Sequence, residues 1–324
     1  MEFKGIHHVS ALTAKAPENF NFYTKVLGLR LVKKTVNQDD PSVYHLFYGD
    51  ERGNPGTEVT FFEIPHLAQS REGTNSITAF SLRVPDDRAL VYWKGRLKEH
   101  GVETEEITER AGRSTLAFRD LEGQRVILVS DEQDHGVPGG TPWNRSSVPA
   151  EYGIIGLGPV KVTVQNAAAT ARILTEVMGF RSNGSYPSPV PGQPDILVFE
   201  TGEGGSGSEM HVEERSDLAP ERPGRGSVHH VAFRVDNEEE LKEWVRRIQD
   251  AKLPNSGFVD RFYFRSLYFR EPNGILFELA TDGPGFDTDE PVEHLGESLA
   301  LPPFLEPKRE EIEAVLHPID TKQG

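Results

Sequence analysis

The sequence predicts an α+β fold made of four βαβββ modules, arranged as two tandem halves. A self-match supports this prediction: residues 76–84 align with residues 227–235, and Gly123 aligns with Gly274 at the same shift (227 − 76 = 274 − 123 = 151). Each half contains two modules. We therefore expect a first domain at residues 1–150 (modules 1 and 2), a second at 151–285 (modules 3 and 4) and a tail at 286–324.

Helices and strands within the modules are predicted from apolar spacing. Short runs rich in Val, Ile, Leu and Phe, such as residues 126–129 and 275–279, predict strands. Near the C-terminus, Ile312, Val315 and Leu316 are expected on one face of a short amphipathic stretch that packs on the body or over the site mouth. Three apolar stripes at helical spacing predict helices: Leu90, Trp93 and Leu97; Ile173, Leu174, Val177 and Met178; and Leu241, Trp244, Val245 and Ile248.

Composition excludes several classes of function. Lys and Arg total 35 and Asp and Glu total 51, which gives a formal net charge of −16. With no dense basic stretch, we do not expect binding to nucleic acid or to an anionic membrane. Because there is no cysteine, any metal must be held by nitrogen and oxygen ligands. Neither a signal core nor a span of roughly 18 apolar residues occurs, so a cytoplasmic protein is expected.

Two His-His pairs carry the main functional signal. His7-His8 and His229-His230 each open a predicted strand. Because successive strand side chains point to opposite faces, one member of each pair can reach a shared cavity. Glu278 lies on the last predicted strand between apolar neighbours that should face the other way. A carboxylate on the inner face of a strand is costly unless it is paired or bound to a cation.

The duplication supplies an internal control for this signal. At the positions of His230 and Glu278, the second module carries Ala79 and Ile127, and the third module has Gly-Pro at 158–159 in place of the first histidine pair. The fold therefore does not require these polar groups. Two histidines and one carboxylate match the facial triad of iron(II) oxygenases, which leaves positions open for substrate and oxygen, and the set is also compatible with manganese.

Glu63 is a further carboxylate that could reach a metal. It ends the predicted strand 60–63 in the first module's counterpart of the Glu278 strand. A fourth ligand is therefore one interpretation, and a solvated carboxylate at a strand end is the favoured one. The remaining histidines are interpreted as surface or core residues with no role at a metal: His45, His66, His100, His135, His211, His294 and His317.

Eight short motifs cover nearly the whole chain in a specific order. They are GIHHVS at 5–10, LGLRLV at 27–32, SVYHLFYG at 42–49, SVHHV at 227–231, DRFY at 260–263, YFRE at 268–271, ILFELAT at 275–281 and GPGF at 283–286. Together they resemble the vicinal-oxygen-chelate (glyoxalase/bleomycin-resistance/dioxygenase) superfamily. Within it they resemble the bacterial ring-cleaving, extradiol-type dioxygenases that act on hydroquinones and methylhydroquinones.

The resemblance implies cup-shaped mixed sheets, with the first and last modules facing each other across one cup. It implies that the metal ligands are the second histidine of each pair and the glutamate of the last strand, which are His8, His230 and Glu278 here. It also places a second group of residues at the substrate pocket or in support of the metal: His7, Ser10, His229, Arg261 and Tyr268.

The activity that the resemblance implies is iron(II)-dependent opening of a hydroquinone- or catechol-like ring by dioxygen, with both oxygen atoms entering the product. Arg261 would stabilise developing negative charge, and Tyr268 or His229 would move phenolic protons. The expected partners are a small aromatic diol and oxygen. A homodimer is our working expectation for the oligomeric state.

Two other functions are compatible with the sequence. A glyoxalase-type lyase or isomerase would need four protein ligands around zinc or nickel, with Glu63 as the fourth, and would consume no oxygen. A non-catalytic protein that sequesters an aromatic compound would have no use for a triad of two histidines and a carboxylate.

Overall fold

The computed structural model describes residues 1–133 and 135–322, and it confirms the four βαβββ modules. The helices Ala16–Asn21 and Ala167–Arg172 each continue into a π-helical segment, at Phe22–Val26 and Ile173–Val177. The elements of modules 1 and 2 are β1 (Ile6–Thr13), α1 (Ala16–Asn21), β2 (Arg30–Asn37), β3 (Asp40–Gly49), β4 (Glu58–Glu63), β5 (Ser76–Val84), α2 (Asp87–Glu99), β6 (Thr108–Arg110), β7 (Arg113–Arg119) and β8 (Arg125–Ser130). Those of modules 3 and 4 and the tail are β9 (Gly156–Val164), α3 (Ala167–Arg172), β10 (Arg181–Tyr186), β11 (Ile196–Glu200), β12 (Glu209–Glu214), β13 (Val228–Val235), α4 (Glu238–Asp250), β14 (Val259–Asp260), β15 (Phe264–Arg270), β16 (Leu276–Pro284) and α5 (Arg309–Val315).

The strands form two eight-stranded mixed sheets, each curled into a cup. One sheet has the order β14-β15-β16-β13-β1-β4-β3-β2, and the other has the order β10-β11-β12-β9-β5-β8-β7-β6. In each sheet two modules meet at an antiparallel pair, β1 with β13 and β5 with β9. The first and fourth modules therefore share one cup, and the second and third modules share the other. The predicted domain boundaries stay a prediction, since each sheet takes one module from each half of the chain.

The predicted helical stripes are buried against the sheets. Leu90, Trp93 and Leu97 of α2 and Trp244 and Ile248 of α4 have almost no solvent exposure. Both helices begin at a side-chain cap, where Asp86 and Asn237 accept hydrogen bonds from the backbone N–H groups of residues 89 and 240. These caps and stripes explain why the helices form where the apolar spacing predicts them. None of the helices in the described part of the chain has the length and apolarity needed to cross a membrane.

The tail packs on the body of the first cup. Lys33 of β2 contacts the carboxylates of Asp289 and Glu290, and the hydroxyl of Tyr44 on β3 donates to the backbone carbonyl of residue 317. On α5, Ile312 and Leu316 are buried, whereas Val315 is 60% exposed. The prediction that Val315 shares the buried face is wrong, because only the i and i+4 positions of this short helix face the body.

An aromatic cluster fixes the start of β1 beside the fourth module. The Phe3 ring stacks on Trp244 of α4 at a centroid distance of 4.4 Å and also contacts Phe233 of β13. The backbone N–H of Lys4 donates to the carbonyl of Arg234, which extends the pairing between β1 and β13. Phe3 therefore holds the two strands that carry the histidine pairs.

We expect Phe3→Ala to lower the free energy of unfolding by about 3 to 5 kcal/mol, because it opens a cavity in this cluster. Urea denaturation of the metal-free protein measures the change. Phe3→Leu, which keeps most of the apolar volume, is the control and should cost clearly less. A Phe3→Ala variant as stable as the parent protein would contradict this role.

Candidate metal centre

A row of residues across four strands sets the position of the candidate site. His8 on β1 lies beside Ala232 on β13, Ala232 lies beside Glu278 on β16, and Glu278 lies beside Tyr268 on β15. Ala232 is fully buried and small, so it leaves space above it in which the side chains of His8 and Glu278 meet. His230, two residues before Ala232, projects from the same face of β13.

The three predicted ligands converge on one point. The Nε2 atoms of His8 and His230 lie 3.0 and 2.8 Å from Oε2 of Glu278, and 3.3 Å from each other. All three side chains are buried. Ligand atoms about 2.1 Å from one ion, at right angles to each other, lie about 3 Å apart. The observed triangle has this size, so the residues fit a divalent cation held on one face of an octahedron.

Charge supports the same interpretation. Glu278 is fully buried, and one carboxylate oxygen accepts a hydrogen bond of 2.6 Å from the Ser266 hydroxyl. Its Oε2 has no well-formed hydrogen bond. Burial alone would raise the pKa of Glu278, but the adjacent His8 and His230 hold it well below its usual range. Burial lowers the pKa of His230. An ionised carboxylate beside a neutral imidazole is the protonation state that metal binding requires.

The first histidine of each pair orients the second. Burial, followed by the charge of His8, lowers the pKa of His7 to about 3, so the His7 ring is neutral and carries a single N–H. Its Nε2 lies 3.1 Å from the backbone carbonyl of Thr281, which requires the proton to be there. Its Nδ1 then accepts a hydrogen bond of 3.0 Å from Nδ1 of His8. This arrangement leaves Nε2 of His8 with a free lone pair directed at the candidate metal position.

The second pair has the same arrangement on β13. Nδ1 of His229 lies 2.8 Å from Nδ1 of His230, which frees Nε2 of His230 to face the triangle. His229 is exposed and lies on the cavity wall. If Nε2 of His230 is left for a metal, Nδ1 of His230 is the donor in this pair, and the single proton of a neutral His229 lies on Nε2.

The triangle opens into a cavity of about 460 Å³, which is in the usual range for small-molecule sites. His229 and His230 lie on its wall together with Arg261 and Tyr268. One aromatic ring with small substituents fits such a space. The apolar part of the wall consists of Leu12, Val36, Val43, Phe47, Phe62, Ile64, Phe264 and Leu276.

An ion pair that the sequence did not predict lies at the cavity mouth. The Arg261 guanidinium donates to both carboxylate oxygens of Asp39, at 3.0 and 2.8 Å, and its Nε donates to the Tyr268 hydroxyl at 3.2 Å. Gln38 donates to the Arg261 carbonyl. The β2–β3 turn of the first module is thus fastened to the fourth module. Burial raises the pKa of Tyr268, so its phenol keeps its proton.

His45, interpreted from the sequence as a residue with no role at a metal, also lies on the cavity wall. Its ring lies between those of Phe47 and Phe62, with both centroid distances 4.0 Å, and its Nε2 lies 2.9 Å from the Thr60 hydroxyl. Val43, His45 and Phe47 alternate along β3 and all face the cavity. This alternation within the 42–49 motif was the signal that could have identified His45.

Two residues implied by the resemblance do not line this cavity. His7 lies behind His8, and Ser10 is fully buried, with its hydroxyl 2.7 Å from that of Thr60. Since Thr60 also contacts His45, Ser10 supports the cavity wall indirectly. Both residues therefore act through neighbours and not by direct contact with the described cavity.

Glu63 is neither solvated nor near the triad. It is 6% exposed, and its Oε1 accepts a 2.9 Å hydrogen bond from the backbone N–H of Ala16 at the start of α1. The prediction of a solvated strand-end carboxylate is wrong. Within the described residues, Glu63 belongs to neither of the two groups that could hold a metal, which are the triad and a group of His7, His8 and Glu58.

The Glu58 group is a weaker candidate for a metal. Glu58 is buried behind the triad, 3.8 Å from Nδ1 of His7. Burial, followed by the nearby Asp50 and Asp282, raises its pKa well above the usual range, which favours a neutral carboxylic acid. The only nitrogen that His8 could add on that side already takes part in the hydrogen bond with His7.

We expect His7→Phe to weaken metal binding about 10- to 100-fold, because His8 loses the partner that fixes its proton on Nδ1. Competition against a fluorescent chelator measures the affinity for iron(II) or manganese(II). His294→Phe, at an exposed histidine, is the matched control and should bind as the parent does. Equal affinities in the two variants would exclude the proposed orientation of His8.

Comparison with known proteins agrees with this fold and this arrangement of residues. The chain belongs to the Glyoxalase/Bleomycin resistance protein/Dioxygenase superfamily, whose family model matches residues 5–128 and 156–279. The two matched segments correspond to the two copies of the internal repeat. The superfamily that the motifs indicated is thereby confirmed.

Particular relatives narrow this assignment. MhqA of Bacillus subtilis (strain 168), assigned by name to the ring-cleaving dioxygenases, is 56% identical over 319 residues, covering 98% of this chain and 100% of that protein. The chlorohydroquinone/hydroquinone 1,2-dioxygenase of Sphingobium indicum is 30% identical, covering 95% of this chain and 94% of the relative. The resemblance to ring-cleaving dioxygenases is thus confirmed.

Solved structures support the same fold. A crystal structure from Bacillus subtilis, of a protein assigned by name to the dioxygenases, superposes with a TM-score of 0.90 at 34% identity, covering 100% of this chain and 99% of that chain. Glyoxalase I from Zea mays superposes with a TM-score of 0.64 at 14% identity, covering 86% of this chain and 92% of that chain. The second likeness shows the shared fold alone.

Proposed function

We propose that this chain is an iron(II)-dependent dioxygenase that opens the ring of a hydroquinone- or catechol-like diol. The observation that carries the proposal is the buried triangle of His8, His230 and Glu278 at the end of an apolar cavity sized for one aromatic ring. The names of MhqA and of the Sphingobium hydroquinone dioxygenase support the reaction class and the substrate class.

The three ligands would hold iron(II) through two imidazole nitrogens and one carboxylate oxygen. When bound, iron(II) would supply open positions for a phenolic oxygen and for dioxygen, and a route for electrons between them. His8, His230 and Glu278 lie on the cavity wall, so a substrate would reach the ion from the cavity side. The same donor set accepts manganese(II), and reconstitution with each metal separately, followed by the oxygen-uptake assay, distinguishes the two.

The cavity wall would bind and orient the ring. Phe62 and Phe264 supply aromatic surface on either side, and His45, held between Phe47 and Phe62, presents a polar edge. The apolar part of the wall would also displace water from around the ring, which strengthens the electrostatic contacts made there. The diol would therefore enter with its ring against the wall and an oxygen toward the triad.

Three polar groups are placed to act on the substrate's oxygens. The phenol of Tyr268 keeps its proton and can donate a hydrogen bond. The Nε2–H of His229 is a second donor, by the arrangement of its pair. Burial would lower the pKa of Arg261, but Asp39 and Tyr268 raise it, so the guanidinium stays charged and can stabilise developing negative charge.

No observation favours a glyoxalase-type reaction. That reaction would need Glu63 as the fourth ligand, and the Glu63 carboxylate is bonded to the start of α1. A purely sequestering role would leave the buried triad without a purpose, since an unmatched buried carboxylate is costly.

Reconstitution with iron(II) under anaerobic conditions, followed by oxygen-electrode measurements over a panel of hydroquinones and catechols, tests the proposal. We expect one metal ion per chain and oxygen consumption that depends on the diol. His230→Ala should lose both metal and oxygen uptake, and His294→Ala should retain both. Full uptake in His230→Ala, or no uptake with any diol by the iron-loaded protein, would refute the proposal.

The Asp39–Arg261 ion pair should affect substrate binding more than the chemical step. Because Asp39 is largely exposed, the pair is worth about 0.2 to 1 kcal/mol, and Asp39→Asn should raise KM about 2- to 5-fold with little change in kcat. Asp217→Asn is the matched control, because Asp217 also accepts hydrogen bonds from one guanidinium, that of Arg215, through both carboxylate oxygens, and it does not line this cavity. Steady-state kinetics with the best diol separates these outcomes, and equal KM values in both variants would contradict the role of Asp39.

A further inference from the structure

The second sheet encloses a cavity of about 580 Å³ between the second and third modules. The 151-residue shift relates this cup to the metal cup. It carries Pro159, Ala79 and Ile127 where the metal cup has His8, His230 and Glu278. Ala79 and Ile127 pack with Ala117 as a small apolar cluster. Among the described residues, the two groups that could hold a metal ion both lie outside this cup. Within the part of the chain that the structure describes, this cup therefore has no counterpart of the triad.

The second cup nevertheless retains an arginine at the position of Arg261. Arg110 (110 + 151 = 261) lies on the cavity wall and donates to Thr115 at 2.7 Å and to Glu105 at 3.2 Å. Arg125, also on the wall, donates to the same Glu105 carboxylate at 2.9 Å. Two guanidinium groups share one carboxylate, and the other lining carboxylate, Glu109, is exposed on the edge strand. The wall thus has positive charge available for an anion.

A series of hydrogen bonds through Tyr186, His211 and Glu209 lies on the side of the cavity that the third module forms. The Tyr186 hydroxyl lies 3.0 Å from Nδ1 of His211, and Nε2 of His211 lies 3.0 Å from Glu209. Arg113 donates to both oxygens of Glu209. Burial would raise the pKa of Glu209, but the hydrogen bonds from His211 and Arg113 hold it below its usual range, so the series ends on a carboxylate.

The hydrogen-bonded series Tyr186–His211–Glu209 leaves one hydrogen-bonding position for a ligand, at the Tyr186 hydroxyl. Burial raises the pKa of Tyr186, so the phenol keeps its proton. The phenol and His211 share one hydrogen bond, and the phenol oxygen can make another on its cavity side. Lys161 on the wall is matched by Glu213 at 2.8 Å and does not add to the charge. An apolar floor lies between the arginines and Tyr186: Ile127, Val129, Pro159 and Ile196.

We propose that the second cup is a non-catalytic binding site for a small aromatic carboxylate. The carboxylate group would bind at Arg110 and Arg125, the ring would lie on the floor formed by Ile127 and Ile196, and a ring hydroxyl would bond to Tyr186. Charge-assisted hydrogen bonds to guanidinium groups are strong enough to select an anion, and the floor selects a flat apolar body. The site is independent of the metal cup, with which it shares no residue.

Calorimetric titration of the iron-loaded protein with 4-hydroxybenzoate tests this site, with the neutral 4-hydroxybenzamide as the comparison ligand. Arg110→Gln and Arg261→Gln form a matched pair, because they alter the equivalent position in the two cups. We expect Arg110→Gln to weaken 4-hydroxybenzoate binding about 10-fold or more, as the loss of a charge-assisted hydrogen bond predicts. Arg261→Gln should leave this binding within about 2-fold, and the benzamide should bind about 10-fold more weakly.

Three results would overturn the proposal. The first is no binding of 4-hydroxybenzoate up to about 1 mM. The second is equal affinity of the protein for 4-hydroxybenzoate and for the neutral 4-hydroxybenzamide. The third is a loss of 4-hydroxybenzoate binding in Arg261→Gln but not in Arg110→Gln, which would place the ligand in the metal cup. Should Arg110→Gln unfold, Tyr186→Phe removes only a hydroxyl and decides the question. Weaker binding in that variant supports the site, and unchanged binding overturns it. Oxygen uptake on a diol, measured in parallel, tests the metal cup separately.

Discussion

A fully buried carboxylate between two imidazoles is the constraint on which the first cup depends. Glu278 can be ionised at that depth because His8 and His230 approach it from the strands β1 and β13, and the resulting triangle could hold a cation. The antiparallel pairing of β1 with β13 brings the histidines together, and Ala232 gives them room. The aromatic cluster around Phe3 and the hydrogen bonds of His7 then serve to hold this geometry.

The two cups show how one scaffold supports different sites. The same βαβββ plan accepts a buried triad in one sheet and the small cluster of Ala79, Ala117 and Ile127 in the other. The backbone is therefore stable without the metal ligands. Their presence in the first cup supports the proposed metal site, since burying polar groups is costly and the scaffold forms without these three.

Much of the fold and of the candidate site could be predicted from the sequence. Helical stripes and strand alternation defined the modules, and the duplication distinguished His8, His230 and Glu278 from ordinary histidines and glutamates. The convergence of those three residues in space agrees with the prediction, whereas their role as ligands stays a prediction. The failures have physical causes. On a helix as short as α5, the stripe of three residues did not determine which flank is buried, so Val315 was misplaced.

Other features left no pattern that a single sequence could reveal. Asp39 meets Arg261 across 222 positions, and an exposed acid in a turn looks like any solvated residue. Ala232 is important because its small side chain leaves space for the side chains of His8 and Glu278. Alanine is common in buried strands, so its presence in the sequence did not indicate this role. His45 was recognisable only from its alternation with Val43 and Phe47, which is a weak signal because apolar strands often carry one histidine.

The order of the sheets along the chain determines how the molecule can assemble. The second sheet is continuous in sequence, from β5 to β12, whereas the first sheet is divided between the two ends of the chain. The second cup can therefore form as a nested unit during synthesis. The edge of β1 that pairs with β13 stays unpaired until β13 has left the ribosome. Pairing over so long a separation is slow, so the edge of β1 remains open to aggregation and proteolysis at least until residues 228–235 have been made.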